Sequence, residues 1–160
     1  MSVDMFMKVG DITGESMDNT YAEYIDVLAW SWGASQSGSM HIGGGGGSGK
    51  VSIQDISFTK YQDSATTALF LACCNGKHYP DAQLIVRKAG ENPVEYLKVS
   101  MEEVLISSYS TGGSGGEDRL TENVTLNFAK VKVEYTPQGA DGSAGATMDV
   151  GWDIQANVKL

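Results

Sequence analysis

The sequence is short of cysteine, proline, histidine and basic charge, and each shortage removes a class of protein. Only two cysteines occur in 160 residues, the neighbours Cys73 and Cys74. A single pair makes no disulfide framework, and a bond between adjacent cysteines is strained. They read as reduced, buried, small apolar residues. Three prolines stand against 20 glycines, which points to tight turns and mobile loops rather than stiff linkers. Lys and Arg total 11 against 20 Asp and Glu, a formal net charge of −9. There is no Lys/Arg cluster, so neither a nucleic-acid face nor an anionic-lipid surface is expected. No apolar run reaches the ~18 residues of a membrane helix. The opening MSVDMFMKVGDITGES lacks a basic n-region and a continuous apolar core, so it does not read as a signal peptide. The expectation is a protein made in the cytosol that leaves only through a dedicated export machine.

What the chain does have is alternation. Apolar residues make up 41%, enough for a core at this length and against disorder as the main state. Met5, Met7 and Val9 open a period-two pattern. AEYIDVLAWSW puts Ile25, Val27, Ala29 and Ser31 on one face and Tyr24, Leu28, Trp30 and Trp32 on the other. Both faces are mostly apolar, which suits a strand covered on both sides or lying at an interface. VSIQDISFTK slips phase near Gln54 and Asp55, predicting a bulge. QLIVRK reads as a short strand, and VEYLKVSMEEVLISSYS as one bent strand or two. NVTLNFAKVKVEY slips phase between Phe128 and Val131, and MDVGWDIQANV closes the chain. One helix stands out in DSATTALFLACCNGK. Asp63 or Ser64 would cap it, Asn75-Gly76 would stop it, and Leu69, Phe70 and Cys73 would share its inner face. Segments 35–49, 110–122 and 136–146 read as loops. With no internal repeat, residues 1–160 read as one mainly β domain, an antiparallel β-barrel or sandwich with one flanking α-helix.

Two glycine-rich motifs imitate enzyme signatures. In GGGGSGK, Gly44, Gly49 and Lys50 match a phosphate loop, but Val51 stands where Ser or Thr must hold magnesium. A strand pattern follows, where the phosphates need a helix N-terminus. The overlapping dinucleotide match at Gly44, Gly46 and Gly49 fails for the same missing helix. In GGSGG, Gly112, Ser114 and Gly116 match a nucleophile elbow, yet no His follows His78 and the chain runs into a strand. His41, His78 and the cysteines lack the ligand number and spacing of a zinc site. Glu102 and Glu103 would point to opposite faces of a strand, which makes them no acid/base pair. No catalytic, cofactor or metal site is therefore expected.

Several stretches, in order, carry a family likeness: VDMFMKVGDITGES, EYIDVLAWSWGASQSGSM, GGGGGSGKVSIQDISFTKYQDSAT, NGKHYPDAQLIVRKAG and STGGSGGEDRLTENVTLNFAKVKVEY. Together they resemble the haemolysin-coregulated protein family, Hcp, the inner-tube proteins of bacterial type VI secretion. The likeness runs from Val3 to about Gln138 and weakens over 139–147. It implies a small β-barrel with a side helix, similar to phage tail-tube subunits. It further implies homohexameric rings that stack into a tube, driven outward by contractile sheath proteins and tipped by a VgrG-type spike protein. Such a tube is secreted without a signal peptide, and its lumen can hold and protect small effector proteins.

Site expectations follow from position. The loop of Met40, His41, Ile42, Gly43, Gly44, Gly45, Gly46, Gly47, Ser48 and Gly49 is the candidate for contact with a neighbouring subunit or ring. Gly112, Gly113, Ser114, Gly115, Gly116, Glu117 and Asp118 form a second ring-contact candidate. Ser31 and Ala29 are candidates for the lumen if Trp30 and Trp32 pack into the barrel. If the tryptophans instead lie between subunits, Ser31 is simply buried. A monomeric β-sandwich binding module is the competing reading of the same loops.

Overall fold

Alternating apolar residues become antiparallel strands in the computed structural model, which describes residues 2–38, 40–41, 49–90 and 93–160. Among them the order is β1 (Val3–Val9), β2 (Ile25–Asp26), β3 (Ala29–Ser31), β4 (Ala34–Ser35), β5 (Ser52–Ile53), β6 (Ile56–Tyr61), α1 (Thr66–Asn75), β7 (His78–Lys88), β8 (Glu95–Gly112), β9 (Thr121–Tyr135), β10 (Met148–Asp153) and β11 (Val158–Lys159). β1 pairs with β7, β7 with β8 and β8 with β9. The far edge of β9 serves two partners: Thr121 to Leu126 pair with β6, and Lys130 to Tyr135 with β10.

The segment expected as one strand over 25–31 is split. β2 pairs with β1, whereas β3 pairs with β6. At the crossover the Val27 N–H donates to the Met5 carbonyl at 3.0 Å, and the Leu28 N–H to the Thr59 carbonyl at 2.8 Å. The ladders β1–β2, β3–β6, β6–β9, β9–β8, β8–β7 and β7–β1 thus close a circuit, a barrel without free edges on that path. Changing partner also changes phase. Ile25 and Val27 are buried, Leu28 and Ala29 are both exposed, and Trp30 turns back toward the core. Met7, Ile25, Phe58, Leu84, Met101 and Leu126 fill the interior, each side chain stabilising by about 1.5–3 kcal/mol through burial.

The slip at Gln54 and Asp55 is a change of sheet rather than a bulge. β5 pairs with β4 in a separate two-stranded sheet, and β6 enters the barrel two residues later. The Trp32 indole N–H donates to the Gln54 carbonyl, and the Gln54 N–H to Gly33, both at 2.9 Å. The second slip, between Phe128 and Val131, falls where β9 exchanges β6 for β10. β8 is one bent strand. Glu103 has a left-handed φ of 56°, so Glu102 and Glu103 are both exposed instead of alternating. β7 is longer than QLIVRK because Pro80 is tolerated across from Glu103, at a gap in the ladder.

α1 ends on Gly76 with φ 66°, a backbone state that costs glycine little. At its start the Asp63 carboxylate accepts the Ala65 N–H at 2.9 Å, and Thr66 Oγ1 accepts the Asp63 N–H at 3.0 Å. The inner face differs from expectation. Leu69 and Ala72 are buried, Phe70 is 55% exposed, Cys73 is half-buried and Cys74 is exposed, both thiols being free. With apolar residues on every side, periodicity alone does not choose the inner face. Small Ala and Cys residues let the helix lie close to the barrel, and the Phe70 ring rests against Tyr109 at 5.5 Å.

Candidate functional site

The pairing of β3 with β6 decides where Ala29 and Ser31 point. Ala29 lies opposite Thr59, Trp30 opposite Phe58 and Ser31 opposite Ser57. Phe58 is buried, and Trp30 and Trp32 pack against the core. Alternation then sends Ala29 and Ser31 outward, and both are exposed. Their neighbours on this outward face hold one another. Ser57 Oγ and Thr125 Oγ1 are 3.0 Å apart, and Thr59 Oγ1 donates to Asn123 Oδ1 at 2.6 Å. At its border Asp55 accepts from Ser107 at 2.8 Å and from Asn127 at 2.9 Å.

The two candidate loops are attached at opposite ends of β6. The first leaves from the β4–β5 ladder, just before Ile56. Met40 is 83% exposed and His41 is exposed. Ile42, Gly43, Gly44, Gly45, Gly46, Gly47 and Ser48 lie outside the described residues. A Cβ added at Gly49 would press on the Ser37 hydroxyl, so a larger residue there would have to turn that side chain aside. Lys50 leads into β5, not into a helix. The second loop lies beside the end of β6, where the Gln62 N–H donates to the Leu120 carbonyl at 2.9 Å. Gly112 is not part of it, being the last residue of β8 and paired with Thr121. Gly113 to Asp118 are exposed and run into β9. The Arg119 guanidinium lies 3.9 Å over the Tyr61 ring and fixes the base of the tip.

Two buried polar groups went unnoticed in the sequence. Lys60 and Glu122 are both fully buried and form an ion pair. Lys60 Nζ also meets Asp63 Oδ1 at 2.7 Å, Thr66 Oγ1 donates to Glu122 at 2.9 Å, and the Tyr109 hydroxyl donates to the same carboxylate. Burial, then Glu122, pushes the Tyr109 hydroxyl up to about 12. This network ties α1 to β6, β8 and β9. Its signal was in the pattern: Lys60 continues the inward phase of Ile56 and Phe58, as Glu122 does that of Val124. The second group is Arg87, which forks onto Asp18 and reaches Asp4 at 3.3 Å while stacking on Phe6 and Tyr21. The hydrogen bond from Arg87 holds the Asp18 carboxyl below its ordinary value. Both groups fasten the fold. Among the described residues no cluster of three or more His, Cys, Asp or Glu could hold a metal, and no helix is long and apolar enough to cross a membrane.

These features define a mainly β, antiparallel barrel protein with one helix on its flank. Residues 6–135 match the family described as type VI secretion system effector, Hcp. Protein hcp1 of Pseudomonas aeruginosa is 66% identical over 161 aligned positions, covering 99% of each chain. A structure of a type six secretion system protein superposes with a TM-score of 0.95 at 30% identity, over 99% of this chain and all of the other. Hcp1 from Salmonella typhimurium superposes with a TM-score of 0.83 at 40% identity, over the whole of both chains. The chain belongs to the Hcp family of type VI secretion.

Proposed function

We propose that residues 1–160 form a single structural domain, the subunit of a type VI secretion inner tube, with no catalytic role. Homohexameric rings stack into the tube, a contractile sheath ejects it, and a VgrG-type spike tips it. The protein is made in the cytosol and exported through the type VI secretion machine. Small effector proteins travel in the lumen, against the face of Ala29 and Ser31. The observation that carries this reading is that exposed Met40 and His41, beyond the β4–β5 ladder, and exposed Gly113 to Asp118 belong to segments joined at opposite ends of β6. A subunit contacted by a ring above and a ring below needs contact segments at both ends. Gly113 to Asp118 would serve one end and the excursion from Met40 to Gly49 the other.

Light scattering on the purified protein, with electron micrographs, tests it. The expected result is a mass of six protomers and ring-shaped particles. A stable monomer at micromolar concentration would remove the tube reading and favour a monomeric binding module. Ser31→Gln should leave rings intact and empty them of effector. Broken rings would instead place Ser31 between subunits.

A further inference from the structure

The outward faces of β8 and β9 change character half-way along both strands. Beside β10 they carry charge in register, with Lys98–Glu134–Asp149 in one row and Glu102–Lys130–Asp153 in another. Lys132 adds an ion pair to Asp149 at 3.4 Å. Beside β6 the rows read Ala29–Thr59–Asn123–Ser110 and Ser31–Ser57–Thr125–Ser108. Those two rows contain no charged residue, in a chain of net charge −9. The carboxylate of Asp55, at the border of this face, is engaged by Ser107 and Asn127.

A solvated sheet face carries charge at no cost, as the other half of these same strands demonstrates. A charge in a ring lumen is different, because symmetry repeats it around the axis and the enclosed space focuses its field. Such a lumen would admit cargo of one sign and repel the other. Resting on the carrier reading above, in which the face from β3 to β8 meets the cargo, we propose that this face is indifferent to cargo charge. Its occupant is a small folded protein of either sign, held by hydrogen bonds to hydroxyl and amide groups. Hydroxyls rotate to donate or accept, so one face serves different partners. The short side chains leave no deep groove for an inserted peptide, which favours the flat surface of a folded protein.

The test uses rings of the full chain purified from the producing cell with a bound effector identified by mass spectrometry. Retained effector is measured after washing at about 0.1 M and about 1 M NaCl, where the Debye length falls from about 10 to about 3 Å. Retention should agree within about twofold, since neutral hydrogen bonds are little screened. Asn123→Asp keeps an acceptor for Thr59 and adds a carboxylate, and Asn123→Lys adds the opposite charge. Both variants should form rings, and their effector load should diverge according to the sign of the cargo. Loss of more than about tenfold from the unmodified ring at high salt would overturn the proposal. So would equal loads in the two variants, or broken rings in both, which would make this face a contact between subunits. Rings that never carry effector would fail the carrier reading itself and take this inference with it.

Discussion

Lys60 and Glu122 are charges at apolar positions, and the barrel tolerates them only as a pair. Both are fully buried, and their carboxylate and ammonium groups also meet Asp63, Thr66 and Tyr109. Removing one partner leaves the other uncompensated, so Lys60→Met should destabilise the fold by about 3–5 kcal/mol. Urea unfolding at fixed protein concentration measures this, and a loss below about 1 kcal/mol would mean that water reaches the carboxylates. Tyr109 gives an independent handle. Its folded value lies near 12, above the ~10 of an unfolded chain. The unfolded state therefore loses the phenolic proton first. Stability from Tyr109 is complete below about pH 10 and declines toward pH 12 by at most about 1.4 kcal/mol per unit. The difference in unfolding free energy between native protein and Tyr109→Phe should shrink across that window. A flat difference would mean that the hydroxyl is not held by Glu122. The inward phase of Lys60 was legible in ISFTKY, but its partner was not, since 62 residues separate Lys60 from Glu122.

At the scale of elements, period-two patterns made the strands legible, and Asn75-Gly76 placed the helix end. Strand partners were not legible. The run 25–31 looks continuous, yet it divides between β1 and β6, because closing the barrel matters more than extending one ladder. Both phase slips marked real events, a change of sheet at Gln54 and a change of partner after Phe128, but neither named the new neighbour. The first loop hangs on a ladder separate from the barrel, with two residue pairs, Ala34–Ile53 and Ser35–Ser52. Removing Gly43–Gly47 should therefore spare the core while weakening assembly, because shortening a surface loop changes closure entropy by well under ~1 kcal/mol. Circular dichroism should be unchanged and ring yield or secretion reduced. Collapse of the β signal would make the loop part of the fold, and normal secretion would make it an idle connector.

For the whole molecule, the distribution of charge matters more than its sum. Each copy carries −9, and in the proposed tube stacked rings of such copies would repel one another. The loop tip holding Glu117 and Asp118 adds two exposed carboxylates at a proposed ring contact. Screening should therefore govern stacking. At about 0.01 M salt the Debye length is about 30 Å, wide enough for facing rings to feel each other's charge, and at about 1 M it is about 3 Å. Purified rings should accordingly stay separate at low salt and form longer stacks as salt rises, read as particle length in micrographs or as scattering mass. Glu117→Gln with Asp118→Asn should move that transition to lower salt. Stacks that fall apart as salt is added would mean that rings are joined by ion pairs rather than kept apart by like charge, and the two carboxylates would then be contacts to preserve.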